Sequence, residues 1–90
     1  GEDGHIASLF PNHLYSEEQM VVVEQNSPKL PKERVSMSYK RLNRAHYIFK
    51  LIIGESKQKA VTLLKQNANL PITRVNGDFE KKYFCKSAIL

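Results

Sequence analysis

Apolar positions along the chain predict three strands in its first two thirds. Residues 20–24 form a continuous β-branched run between polar segments, which is typical of a buried strand. Residues 34–39 alternate and predict a half-buried strand that packs through an apolar face containing Val35, Met37 and Tyr39. Residues 47–53 carry apolar side chains on both faces, as a central strand covered by helices on each side would.

Helical patterns lie between these strands. Residues 6–10 are predicted to begin a short helix, residues 40–45 one or two helical turns, and residues 55–68 a longer amphipathic helix. After a turn at 76–78, residues 82–90 predict a final strand. Strands that alternate with helices favour an α/β fold, with a mostly parallel, Rossmann-like sheet and helices on both of its faces.

Composition predicts a single small unit. The chain has 90 residues, of which 41% are apolar, and it contains no apolar run of the about 18 residues that a membrane span needs. Its single cysteine, Cys85, excludes an internal disulfide and fits a reducing compartment, so a cytoplasmic location is expected. Because Cys85 follows two aromatic residues, a packed thiol is expected rather than a nucleophile.

Positive charge is concentrated in the middle of the chain. The formal charge is +5, and seven of the 14 Lys and Arg residues fall between Lys29 and Lys50. This concentration permits an anionic partner, whether a nucleic acid, an acidic membrane surface or a phosphorylated metabolite, but it is also typical of a solvated face. A basic nucleic-acid-binding module therefore remains an alternative; its contacts would come from Arg34, Lys40, Arg41, Arg44, Tyr39 and Tyr47.

Candidate chemistry lies at Asp3, Gly4 and His5. Gly4 lets the backbone turn so that Asp3 and His5 can approach each other. Asp3 could then hold the imidazole in one tautomer, which leaves the other nitrogen free to take a proton from water. The same tripeptide is also an ordinary turn, so the pattern alone leaves both interpretations open.

Residues 1–11 read GEDGHIASLFP and resemble the signature of the 6-phosphogluconolactonases, the sugar-phosphate lactonases of the pentose phosphate pathway. The resemblance continues through PKERVSMS at 31–38, LNRA at 42–45 and GESK at 54–57. Glucosamine-6-phosphate deaminases share DGHIA but continue with Phe-Asn-Glu-Pro, where this chain has SLFP. The lactonase branch is therefore favoured, with a deaminase-like enzyme as the alternative.

The resemblance implies hydrolysis of 6-phospho-D-glucono-1,5-lactone to 6-phosphogluconate without a cofactor. His5 would be the general base, oriented by Asp3, and the backbone N–H groups around Gly4 and Ile6 would stabilise the oxyanion. No metal is expected, because the three histidines and one cysteine lack the paired spacings of zinc sites. The expected partner is a sugar-phosphate lactone, with neither nucleic acid nor membrane, and the intact enzyme is expected to be a monomer.

Two basic residues are candidates to bind the substrate phosphate. Arg34 falls where the resemblance places a basic residue near the sugar phosphate, although an exposed edge arginine has the same pattern. Lys57 lies in the first turn after a strand and a glycine, an arrangement that binds phosphates in α/β folds, although a solvated helix lysine has that pattern too. Lys59 is a second candidate for the same role, because it lies two residues further along the helix.

Members of the 6-phosphogluconolactonase family, which this chain resembles, are considerably longer than 90 residues. Residues 1–90 are therefore expected to form the C-terminal part of a single lactonase-like domain, without the Gly/Ser-rich phosphate loop of its N-terminal half. We accordingly expect the isolated chain to have little or no activity.

Overall fold

The computed structural model describes residues 1–89, which form an α/β structure as predicted. Two single turns of 3₁₀ helix, Glu55–Lys57 and Pro71–Arg74, accompany the longer elements. In chain order the strands and α-helices are β1 (Val21–Glu24), β2 (Arg34–Met37), α1 (Tyr39–Leu42), β3 (Tyr47–Ile52), α2 (Gln58–Lys65), β4 (Phe79–Phe84) and α3 (Lys86–Ile89).

The described strands form two pairs with different topologies. β1 and β2 are antiparallel, with Val21 opposite Met37 and Val23 opposite Val35. β3 and β4 are parallel, with Tyr47 opposite Phe79. Parallel neighbours need a crossover connection, and α2 lies in the segment that makes it. The α/β class with parallel strands and helices is therefore confirmed, and the β1–β2 pair is its antiparallel part.

The core lies between the β3–β4 pair and the helices α2 and α3. Ile52, Val61 and Ala88 form its buried cluster, and Cys85 packs against it with Ile72. The Sγ atom of Cys85 also accepts a hydrogen bond from the backbone N–H of Gly54, at 3.1 Å. The prediction that Cys85 is a packed thiol is therefore confirmed.

The strand β2 is present, but it packs through the face opposite to the predicted one. Val35 is 72% exposed and Met37 50% exposed, whereas Ser36 and Ser38 are buried. Ser36 Oγ accepts a hydrogen bond from the backbone N–H of Ser8, and Ser38 Oγ caps α1 by accepting one from Arg41. These hydrogen bonds to buried hydroxyl groups outweigh the apolar alternation, which carries no information about such partners.

The strands β1 and β3 are buried on one face only, so the predictions of a buried strand at 20–24 and of a strand covered on each side at 47–53 were wrong for residues 1–89. In β1, Val22 and Glu24 point inward while Val21 and Val23 are exposed. In β3, Lys50 and Ile52 are buried, and the other face exposes Tyr47, Phe49 and Leu51. Within residues 1–89, each pair of strands is packed against other elements on a single side.

Residues 6–10 do not begin a helix. The N–H of Leu9 donates to the carbonyl of Ile6 at 2.9 Å, and Ala7 has φ +48°, so this segment is a tight turn with a left-handed residue. A left-handed residue cannot continue a right-handed helix.

The predicted final strand also has different bounds. β4 begins at Phe79, and the chain turns into α3 after Phe84, the partner of the last residue of β3. The prediction for Leu90 falls outside the described residues.

Candidate active site

A glycine turn builds the centre of the site. Gly4 has φ +84° and donates its N–H to the carbonyl of Gly1 at 3.0 Å. A Cβ atom at this position would lie 2.9 Å from Cδ1 of the buried Leu70, so both the backbone conformation and the available space favour glycine. The turn brings the residues on either side of Gly4 together.

Asp3 and His5 form the pair that the sequence pattern left open. His5 Nδ1 lies 2.6 Å from Asp3 Oδ1, and the same oxygen accepts the backbone N–H of His5 at 3.1 Å. A carboxylate can only accept, so Nδ1 carries the proton and Nε2 is the free basic nitrogen. The contacts have the geometry that a general-base dyad requires, and they also close the turn of this tripeptide.

Burial and the contact between the two side chains shift the pKa values of both Asp3 and His5. Burial lowers the pKa of His5 below its ordinary value, against the opposing effect of Asp3. Burial acts on Asp3 in the raising direction, but the hydrogen bonds from His5 outweigh it and hold the pKa of the carboxyl below its usual range. The imidazole is thus neutral and the carboxylate ionised near neutral pH, as a general base with an orienting acid requires.

A cavity of about 280 Å³ opens beside the imidazole. His5, Gly4 and Ile6 line it together with Lys57, and apolar side chains of β3 and α2 form most of its remaining wall. Lys59 is exposed and is not among the lining residues. The structure therefore brings Lys57, rather than Lys59, to the same cavity as His5.

The backbone donors near the dyad are not equivalent. The N–H of Gly4 donates to Gly1, and that of His5 donates to Asp3. Ile6 pairs with Leu9 in an isolated antiparallel bridge, which places the N–H of Ile6 opposite the carbonyl of Leu9. Of the two predicted oxyanion donors, Gly4 is therefore bonded within the turn, and Ile6 would have to give up its pairing with Leu9 to donate to an oxyanion.

Arg34 does not line the cavity. Its Nε donates to the carbonyl of Pro31 at 3.0 Å, and one terminal nitrogen donates to the carbonyls of Leu30 and Lys29. The guanidinium carbon also lies 5.5 Å from the centre of the Phe10 ring. The arginine thus holds the loop before β2 and contacts the site through Phe10.

A second polar cluster, which the sequence analysis missed, lies behind the dyad. Glu24 Oε1 accepts a hydrogen bond from the hydroxyl of Tyr15 at 2.6 Å and contacts Nδ1 of His13. Glu24 Oε2 accepts the backbone N–H of Asn26. One signal could have revealed this cluster: Glu24 shares the inward face of β1 with Val22, and a buried carboxylate needs partners.

The protonation of this cluster follows from its contacts. Burial, together with the hydrogen bond to Glu24, raises the pKa of Tyr15 far above its usual range. Burial disfavours the charged form of Glu24, but hydrogen bonds from Tyr15, Asn26 and His13 outweigh it and hold the pKa of this carboxyl below its usual value. Glu24 is therefore an acceptor and Tyr15 a donor in their shared hydrogen bond.

Neither a metal centre nor a membrane span is found in residues 1–89. No group of three or more His, Cys, Asp or Glu side chains is arranged to hold a metal ion. Similarly, none of the helices described is long and apolar enough to cross a membrane.

Known proteins resemble this chain in both sequence and structure. Residues 1–84 match the family described as glucosamine-6-phosphate isomerases/6-phosphogluconolactonase. The chloroplastic 6-phosphogluconolactonase 3 of Arabidopsis thaliana is 39% identical over 74 residues, which cover 79% of this chain and 23% of that protein. The 6-phosphogluconolactonase of Borreliella burgdorferi is 40% identical over 73 residues, or 78% of this chain and 31% of that protein.

The crystal structure of 6-phosphogluconolactonase from Thermotoga maritima has the same fold. It superposes with a TM-score of 0.80 and 28% sequence identity, covering 93% of this chain and 38% of that one. The chain thus spans less than half the length of the relatives it matches. With the match over residues 1–84, these similarities establish that the chain belongs to the glucosamine-6-phosphate isomerase/6-phosphogluconolactonase family.

Proposed function

We propose that this chain supplies the acid–base dyad and a phosphate-binding lysine for hydrolysis of 6-phospho-D-glucono-1,5-lactone to 6-phosphogluconate. The observation that carries the proposal is the 2.6 Å contact between His5 and Asp3 beside a cavity that Lys57 also lines. The relatives named 6-phosphogluconolactonase support this substrate, and we propose that the reaction proceeds without a cofactor. Both branches of the family share the dyad motif, and the relatives named 6-phosphogluconolactonase favour ester hydrolysis.

His5 is the base in this mechanism. Its Nε2 removes a proton from a water molecule as the water oxygen attacks the lactone carbonyl, while Asp3 stabilises the imidazolium that forms. The N–H of Ile6 donates to the oxyanion of the tetrahedral intermediate. When this intermediate collapses, the bond between the carbonyl carbon and the ring oxygen breaks, and the proton on Nε2 passes to that oxygen. The ring opens, and His5 is neutral again.

The phosphate lies far from the reacting carbonyl and orients the substrate. Lys57 is our first proposed phosphate ligand, because it shares the cavity with His5. Arg34 is the second proposed ligand; it lies outside the cavity wall, over the ring of Phe10, and its Nη1 makes no hydrogen bond to the described part of the chain. Binding energy at a remote group fixes the position of the reacting bond relative to the base.

We also propose that residues 1–90 are one part, the C-terminal one, of a single lactonase-like domain. The chain spans 38% of the Thermotoga maritima structure that it matches, and its sheets expose large apolar side chains. Full activity then requires the segments that such relatives contain in addition. We further propose that the intact enzyme is a monomer and that it is cytoplasmic.

The decisive experiment is a lactonase assay in which 6-phosphogluconate is followed through its dehydrogenase. It is run on the 90-residue chain and on a chimera that adds the rest of the Thermotoga maritima relative. Only the rate above spontaneous lactone opening counts. We expect excess activity in the chimera, a loss of about 10²–10⁴-fold in His5→Ala, and little or none in the short chain.

Two results would contradict the proposal. A folded chimera without excess lactonase activity would remove the function, and full activity in His5→Ala would remove the base. Ammonia release from glucosamine 6-phosphate in the same preparations would favour the deaminase branch of the family instead.

A further inference from the structure

We propose that Tyr15 is a positioning residue for His5 and acts through Phe10. Tyr15 does not line the cavity and makes no hydrogen bond to either member of the dyad. Its effect on the imidazole is therefore indirect. The inference rests on the proposed role of His5 as the base, but its main test measures the position of the ring and not turnover.

The imidazole of His5 is confined on three sides. Asp3 holds Nδ1, and the ring centre of Phe10 lies 4.7 Å from the ring centre of His5 with a tilt of 38°. The backbone of Gly1 occupies another side so closely that a Cβ there would lie 2.0 Å from Cε1 of His5. A hydrogen bond at one nitrogen still lets a ring swing about that contact, so the packing of Phe10 is needed to fix the direction of Nε2.

The backbone N–H of Phe10 donates to a side chain and not to another backbone group. Phe10 is 1% exposed and lies outside every helix and strand of residues 1–89, so its buried N–H requires an acceptor. The hydroxyl oxygen of Tyr15 accepts this N–H at 2.8 Å. Loss of that oxygen would leave the amide unpaired and remove the contact that sets the depth of the Phe10 ring.

Glu24 fixes the direction of the hydroxyl. A carboxylate only accepts hydrogen bonds, so the proton of Tyr15 points to Glu24 at 2.6 Å rather than to the more distant carbonyl of Ser8 at 3.4 Å, and a lone pair of the hydroxyl accepts the N–H of Phe10. Glu24 is buried in β1, and its second oxygen is held by the N–H of Asn26. A hydrogen-bonded path therefore runs from β1 through Tyr15 to the backbone of Phe10, whose ring contacts His5.

The test substitutes Tyr15→Phe, which removes one oxygen and keeps the ring. The matched control is Tyr47→Phe on β3, because Tyr47 is 68% exposed and its hydroxyl makes no hydrogen bond within residues 1–89. NMR follows the Cε1 proton of His5, assigned by its loss in His5→Ala, through a pH titration of the 90-residue chain. In the chimera, kcat and KM are measured for the same variants.

We expect Tyr15→Phe to shift the His5 resonance toward the position of an unstacked imidazole, because the ring current of Phe10 weakens. The pKa of His5 should rise toward its ordinary value as burial decreases; Asp3, Lys29 and the amino group of Gly1 act on it unchanged. In the chimera, kcat should fall about 10-fold or more while KM changes little, since misplacement of a base affects the chemical step. Tyr47→Phe should match the unmodified chain in every measurement.

A folded Tyr15→Phe chain whose His5 resonance and pKa equal those of the unmodified chain would overturn the inference. If Tyr15→Phe does not fold, Glu24→Gln provides the second test. It keeps an acceptor for the hydroxyl but no longer forces its direction, so a smaller shift of the same sign is expected, and no shift would again overturn the inference. An inactive chimera with the expected NMR shift would contradict the proposed function while leaving the positioning role intact.

Discussion

Lys50 Nζ lies 2.8 Å from Glu80 Oε1, in an ion pair that joins the neighbouring parallel strands β3 and β4. The side chain of Lys50 is only 7% exposed and that of Glu80 25% exposed. The two charged groups are close together, but Glu80 Oε1 accepts no hydrogen bond. A buried lysine is stable only with such a partner, so the two residues depend on each other.

Removal of one partner of this pair should destabilise the chain. Lys50→Met leaves the carboxylate of Glu80 without its partner, and Glu80→Gln leaves the buried ammonium group of Lys50 without a counter-charge. We expect each to lower the free energy of unfolding by about 3 kcal/mol, measured by urea denaturation. The double variant Lys50→Met, Glu80→Leu should recover most of the loss, and additive losses in the double variant would show that the pair is not coupled.

Gly4→Ala should destabilise the turn that carries the dyad. A left-handed conformation costs a non-glycine residue about 1–2 kcal/mol, and the new Cβ would also press against Leu70. We expect a lower Tm and, in the chimera, loss of activity. Combining Gly4→Ala with Leu70→Ala should cost less than the sum of the two single changes, because the smaller side chain relieves part of the clash. An unchanged Tm in Gly4→Ala would contradict the close packing at this turn.

The dyad predicts a specific change in the pH profile of the chimera. Burial holds the pKa of His5 below its ordinary value, and the base works only when neutral, so kcat/KM should fall as the pH drops below this lowered pKa. Asp3 favours the protonated imidazole. Asp3→Asn should therefore move the acid limb of the kcat/KM profile to still lower pH and also lower the maximum of kcat/KM. Glu2→Gln, an exposed neighbour, should leave the limb in place. A limb that moves to higher pH in Asp3→Asn would contradict the pairing.

Lys57→Ala should act mainly on substrate binding. Since Lys57 lines the cavity and Lys59 does not, we expect KM to rise in Lys57→Ala and to stay unchanged in Lys59→Ala. The two substitutions remove the same charge within one short stretch, which makes Lys59→Ala the matched control. Equal effects of the two would indicate general electrostatic attraction, and a fall in kcat alone would contradict the proposed contact.

The sequence predicted those parts of the fold that depend on local pattern. The strands at 20–24 and 47–53, the amphipathic stripe of α2 and the approach of Asp3 to His5 all follow from neighbouring residues. The family resemblance was confirmed as well.

The errors at β2 and at residues 6–10 share a cause in backbone conformations and hydrogen-bond partners that an apolar pattern does not specify. The face on which β2 packs depends on Ser36, which binds the backbone of Ser8 from 28 positions away. The turn at 6–10 likewise depends on Ala7 in a left-handed conformation and on Tyr15 as the acceptor for Phe10. A residue type in a pattern does not specify such a remote partner, so hydrogen bonds of this kind become visible only in the folded chain.

The apolar outer face of the β3–β4 pair also determines the colloidal behaviour of the chain. Tyr47, Phe49, Phe79 and Tyr83 are exposed there, while the chain as a whole carries a net charge of +5. At low ionic strength, repulsion between like-charged molecules keeps the apolar faces of different molecules apart. Added salt shortens the range of this repulsion to about 8 Å at 0.15 M. The isolated chain should consequently bind hydrophobic dyes while folded and precipitate more readily as ionic strength rises, the reverse of simple salting-in.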